Sequence, residues 1–310
     1  GEGSGIMAGR RGSMVGGPAP DAGDEELLFS LASKSSISVT ELRHEAMLNL
    51  ERIGLVDEDM RALSRAVEVN KSIQSLWLSG NAISNSGTTI LSLAVAKSHS
   101  LKDLVLSANE IQDLGVKALA DALRSNHCLR TLHLNHNELT DESATLLAAA
   151  LAANPKSALT WLNLNANRIS DKGATALAEL VKAHEQLTEL DLGHNAVTDQ
   201  GAVALAQALE KSTKLAKLDL SGPHEREGKI SHEGAKALTS ALARNGSLHT
   251  LVLRNNKLDD SDAHLLAGAV AKSKGLIQLS MRGNALTDAG VKELRSAWKA
   301  GGRVANRLYA

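Results

Sequence analysis

Eleven histidines and one cysteine are the residues of this 310-residue chain best suited to metal or nucleophile chemistry. His133 and His136, with His194 further on, invite a metal reading, but no ligand-spaced motif joins them. Cys128 has His127 beside it. Neighbours in sequence do not form a nucleophile–base pair, and this pair sits at the end of a helical pattern. A single cysteine also excludes an internal disulfide framework and a four-cysteine zinc site. No Walker loop or nucleophile elbow occurs, and dipeptides such as Ser79-Gly80 fall where strands turn. Arg10-Arg11-Gly12-Ser13 matches a basophilic kinase site, which makes Ser13 a candidate for phosphorylation. The expectation is a protein without catalysis, cofactor, metal or small-molecule substrate.

Bulk properties point the same way. The chain is 43% hydrophobic and 22% charged, with a net charge of −1. That balance gives no bulk attraction for nucleic acid or an anionic membrane. One Phe and one Tyr offer little for stacking bases. No apolar run approaches the roughly 20 residues of a membrane span. A cytoplasmic setting is expected, with a cytoskeletal or ciliary association as a variant. With aromatics at 2%, the core must be built from Leu, Ile, Val and Ala.

A repeat must position whatever site there is. Leu187, Leu190, Leu192, Asn195 and Val197 fit L-x-x-L-x-L-x-x-N-x-L, and a helical pattern with Gly201, Ala204, Leu205, Ala208 and Leu209 follows. The Asn recurs as Asn81, Asn109, Asn137, Asn167, Asn195, Asn256 and Asn284. Its usual period is 28 residues, lengthened near Asn154-Pro155 and again by a five-residue insertion after Leu220 that removes the sixth Asn. The L-x-L core alternates as a strand does. The Asn amide can both donate and accept, so it can satisfy backbone groups leaving the strand ladder. Ser84, Thr140, Ser170, Thr198, Ser231, Asp259 and Thr287 are suited to cap the helices that follow. Asp141, Asp171, Asp199, Asp260 and Asp288 come next, where an acid complements the helix dipole.

Four segments are expected. Residues 1–23 form a flexible tail, because Gly, Ala, Pro and Ser bury too little to offset ordering. Residues 24–45 form a helical cap over the open end of the stack. Residues 46–300 hold one degenerate and eight clear repeats, and residues 301–310 form a C-terminal tail. Ile53, Asp59, Ser143 and Asp262 depart from the repeat pattern.

These residues resemble the leucine-rich repeat family, specifically its ribonuclease-inhibitor-like class of 28-residue β–α units. The resemblance spans roughly Ala46–Trp298. It implies an α/β solenoid shaped as a horseshoe, with a parallel β-sheet on the concave face, helices on the convex face, and a protein partner docked inside the curve. The leading expectation is therefore a non-catalytic interaction scaffold. The alternatives are a GTPase-activating or other enzyme regulator resembling the Ran GTPase-activating protein, and a structural subunit of a cytoskeletal or axonemal assembly. For the regulator, Asn135, Asn163 and Asn165 are polar residues of the right type.

The informative residues are those that vary between repeats. Strand alternation turns Trp77, His133, Asn163, Asp191 and Asp219 outward, together with Trp161 and Glu189 one column earlier and Arg254 and Arg282 one column later. Exposed Trp is typical of binding hot spots. Glu189, Asp191 and Asp219 make an acidic middle, with Arg254, Arg282 and Lys257 beyond it, a polarity able to orient a partner. The inserted loop adds His224, Glu225 and Arg226 at an edge where solenoids often bind.

Overall fold

The computed structural model describes residues 22–223 and 229–310. Ser13 and the loop residues His224, Glu225 and Arg226 lie outside the described residues.

Two helices, α1 (Ala22–Ser35) and α2 (Val39–His44), precede the repeats. Strands and helices then alternate: β1 (Met47–Asn49), α3 (Met60–Val69), β2 (Ser75–Trp77), α4 (Asn85–Lys97), β3 (Asp103–Val105), α5 (Asp113–Leu123), β4 (Thr131–His133), α6 (Asp141–Ala152), β5 (Trp161–Asn163) and α7 (Asp171–Ala183). The series continues with β6 (Glu189–Asp191), α8 (Asp199–Leu209), β7 (Lys217–Asp219), α9 (His232–Leu242), β8 (Thr250–Val252), α10 (Asp260–Lys272), β9 (Gln278–Ser280) and α11 (Asp288–Ala300). It ends with β10 (Leu308–Tyr309), and the strands form one parallel sheet in chain order. The register aligns Leu48, Leu76, Leu104, Leu132, Leu162, Leu190, Leu218, Leu251 and Leu279 in one buried row. Strands stack about 4.8 Å apart and helices need about 8–10 Å. The stack therefore bends with the sheet on its inner side, as an α/β repeat solenoid.

Two ladders of side chains, one buried and one half-buried, lock each repeat to the next. In the first, Asn167 donates from Nδ2 to the carbonyls of Leu134 and Leu164, both at 3.0 Å, and accepts at Oδ1 from the amides of Asn137 and Leu139. Asn81, Asn109, Asn137, Asn195 and Asn284 repeat this pattern of bridging two turns. Without these amides the turn backbone would be buried unpaired, at about 1–3 kcal/mol per group.

The second ladder joins helix starts. Asp171 opens α7 and accepts from the Thr198 amide, the Thr198 hydroxyl and the Gly201 amide, all at the start of α8. Asp141 and Asp199 do the same for their following helices. The first-turn acid thus caps its neighbour as well as complementing its own dipole. Its reach explains the glycine, since a Cβ at Gly201 would stand 2.7 Å from Asp171 Oδ1.

Departures from the pattern follow from this contact. Ser143 stands in a glycine position, and its hydroxyl donates to Asp113. Asp59 has no earlier repeat to cap it, so it accepts from the Val56 amide and pairs with Lys34 of α1 at 2.6 Å. Ile53 packs against the core of the first repeat.

Both ends differ in detail from the expectation. Helix α1 begins at Ala22, inside the segment expected as tail, and buries Leu28 and Leu31. Where residues 301–310 were expected as a tail, Leu308 and Tyr309 instead extend the sheet, with the Met281 amide donating to the Tyr309 carbonyl at 2.6 Å. Trp298 is 1% exposed and donates from Nε1 to the Val304 carbonyl at 2.9 Å. Arg303 stacks over the Trp298 ring and donates from Nε to the Leu276 carbonyl. These anchors fold the last segment back, giving β9 a partner that covers its free edge.

Candidate functional site

The open face of the sheet carries the expected residues, but not as one patch. Trp161 is half-buried rather than exposed. The His133 ring meets it edge-on, with centroids 4.3 Å apart, and Lys217 Nζ lies 5.3 Å from its centre. Side chains on the inside of a curved sheet lean on those of adjacent strands, which hides surface that pleating alone would expose. The indole Nε1 is inaccessible and has no acceptor among the described residues. Trp77, also half-buried, stands on β2 with β3 and β4 between it and Trp161. The two indoles therefore belong to separate surfaces.

His133 is held neutral. Burial pushes its pKa below the usual value, and the charges of Asp103, Asp191 and Glu189 only partly oppose that. A neutral ring can accept at Nδ1 from Asn163 Nδ2, 3.4 Å away.

The acidic middle divides in two. Glu189 pairs with Lys217 across neighbouring strands at 3.3 Å. Asp191 and Asp219 are register partners on β6 and β7 and face the same side. Asp191 Oδ1 accepts from Asn165 Nδ2 at 3.1 Å and from the Gly193 amide at 2.9 Å. Asp219 Oδ1 accepts from the Ser221 amide and hydroxyl. The second oxygen of each carboxylate accepts no hydrogen bond among the described residues. Burial, and then the charge of Asp191, raise the pKa of Asp219 above the ordinary carboxylate value, against the opposing pull of Ser221 and Lys217. Gly193 forms the floor between them, where a Cβ would lie 3.0 Å from Asp219 Oδ1 and 3.2 Å from Asp191 Oδ1.

Beyond this centre, Arg254 turns back over the sheet and donates to Ser280 Oγ at 2.7 Å. Val252 and Ser280, the next residues in the register column of Asp191 and Asp219, are buried there. Arg282 lies 5.3 Å from the Tyr309 ring. The sheet therefore brings His133, Trp161, Asn163, Glu189, Asp191 and Asp219 together on β4 to β7, and leaves Trp77 at one end and Arg254 and Arg282 at the other. Sequence reasoning passed over Lys217, which both pairs with Glu189 and covers Trp161. Its register beside Glu189, one repeat on, was the available signal. It also missed Tyr309, because a two-residue strand carries no repeat pattern.

Fold and face together define a class, a β–α repeat solenoid with a varied polar face. A model of the family described as Leucine Rich repeat matches residues 97–120, 125–148, 158–178 and 185–206. Among solved structures, the chain is similar to an internalin C2 from Listeria monocytogenes, with 22% identity over 82% of this chain and 92% of that one and a TM-score of 0.49. It is also similar to leiomodin-1 actin-binding site 2, with 15% identity over 59% of this chain and 87% of that one and a TM-score of 0.41. A comparison with curated proteins found no match. The matched segments run in phase with the Asn ladder, which continues at Asn81, Asn256 and Asn284 on either side. Over these four segments the chain is similar to the leucine-rich-repeat family.

Proposed function

We propose that the protein is a non-catalytic scaffold that binds a protein segment on the inner face of its sheet. The observation that carries this reading is the Asp191–Asp219 pair. Two carboxylates stand side by side, each with an oxygen that accepts no hydrogen bond among the described residues, and burial keeps the charge on Asp219 costly. A lysine or arginine from a partner would relieve that repulsion and gain charge-assisted hydrogen bonds. Beside the pair, Trp161 offers an apolar surface suited to a neighbouring hydrophobic residue. The partner segment would thus combine a basic and an apolar side chain. The regulator alternative has less support, because Asn163 and Asn165 already engage His133 and Asp191.

Site-specific photo-crosslinking in the native cell tests the reading. A photoreactive residue at Val105 or Asn163, on the sheet, is expected to capture the same partner, and Asp191→Asn with Asp219→Asn to abolish the capture. The same probe at Thr145 or Lys236, on the helical side, is expected to capture none of it. Capture from the helical positions with none from the sheet would refute this placement.

A further inference from the structure

Far from the sheet face, the stack brings three potential metal ligands together at the turns where helices α4 and α5 lead into β3 and β4. His99 and His127 occupy the same position in consecutive repeats, one period of 28 residues apart, and Cys128 follows His127. One ligand atom from each of the three lies within 4.8 Å of the others. We propose that His99, His127 and Cys128 form a binding site for a borderline-to-soft transition-metal ion of the Zn2+ class.

The donor set fits that class, since imidazole and thiolate suit zinc. Zinc bonds of about 2.0–2.3 Å place ligand atoms roughly 3.5 Å apart in a tetrahedron. The three side chains must therefore close by only about 1 Å. Both histidines are exposed and Cys128 is half-buried, so rotamer changes suffice for that closure. Second contacts already orient two of the ligands. His127 Nδ1 lies 3.3 Å from the Ser125 carbonyl, and a proton there leaves Nε2 as the free donor. The Cys128 thiol donates to the His99 carbonyl at 3.2 Å, which brings the sulfur to the stacked repeat. On binding, that thiol proton leaves to solvent and the sulfur ligates as thiolate.

Three protein ligands leave the fourth position of a tetrahedron open. Lys71, Lys102 and Arg130 line the same hollow as the ligand cluster. Their charge opposes a bare dication but favours the thiolate, and it favours an anion or the carboxylate of another molecule as fourth ligand. The sequence contained the signal, because the 28-residue period puts His99 over His127.

Cobalt(II) and zinc titrations of the purified, untagged chain test the proposal. Cobalt is expected to bind one ion per chain with a thiolate-to-metal charge-transfer band, and Cys128→Ser to abolish that band. His99→Gln and His127→Gln are each expected to weaken zinc, measured against a chromogenic chelator, by about tenfold or more. His136→Gln, an exposed histidine outside the cluster, is expected to change nothing. Zinc is also expected to slow alkylation of Cys128, read by mass spectrometry of the chain's one cysteine. Circular dichroism and thermal unfolding establish that each variant is folded. Zinc affinity unchanged in His99→Gln, or cobalt binding without the charge-transfer band, would overturn the site.

Discussion

His232 and Asp262 have exchanged the roles that an Asp and a Gly hold in neighbouring repeats. His232 opens α9 where Asp141, Asp171 and Asp199 open earlier helices, and its Nδ1 lies 2.9 Å from Asp262 Oδ1 at the glycine position of the next repeat. The carboxylate comes from the following helix instead of the preceding one, and Asp262 also accepts from the Asp259 amide to cap α10. Replacing His232→Asp alone would set two carboxylates against each other and cost about 1–2 kcal/mol. Asp262→Gly alone removes the cap, at about 1 kcal/mol. The double substitution rebuilds the arrangement seen between Asp171 and Gly201, so a chemical-denaturation cycle should show about 1 kcal/mol or more of favourable coupling. Additive losses would contradict the exchange.

Asn167 is the central member of the turn ladder, bonded to five backbone groups of two repeats. Asn167→Ala leaves buried carbonyls and amides unpaired and should cost about 3 kcal/mol or more. Asn284 serves the last repeat and is less buried. Asn284→Ala should cost clearly less, and equal losses in urea unfolding would show that the ladder is not limited by burial.

Much of this architecture was legible because it recurs. The Leu rows, the ladder Asn and the capping Ser and Thr each appear in phase, so every repeat reinforces the reading of the others. The acid ladder was not legible. Asp171 caps a helix in the next repeat, so a local reading sees only its own dipole. Trp161 was misread as exposed for a similar reason, since its cover comes from His133 and Lys217 on other strands. The His99 and Cys128 grouping is another contact between repeats. What single-repeat reasoning misses throughout is chemistry between one repeat and its neighbour.

Asp219 gives the sheet face a pH dependence with a definite sign. Burial and the Asp191 charge raise its folded pKa above the unfolded value near 4. The folded state therefore favours the protonated form. A stability cost sets in as pH rises from the unfolded pKa through the folded one, and it persists at neutral pH. Asn at this position keeps an oxygen for the Ser221 donors and carries no charge. Asp219→Asn should therefore raise Tm at pH 7, with the gain fading below the unfolded pKa. An equal gain at pH 3 and pH 7 would mean that packing, and not charge, sets the effect.

Trp161 offers a way to separate fold from recognition. Its Nε1 is inaccessible and has no acceptor among the described residues, so the folded chain gains nothing from that donor. Trp161→Phe removes the unpaired group and keeps a ring against His133 and Lys217, so stability should change by less than about 1 kcal/mol. Trp161→Ala also removes that ring contact and the covering of Lys217, and should cost about 1–3 kcal/mol. If a partner segment uses the indole, Trp161→Phe will weaken the crosslink from Asn163 while thermal unfolding stays near that of the parent chain. Full retention of the crosslink in both variants would remove Trp161 from the binding surface and leave the acidic pair as its centre.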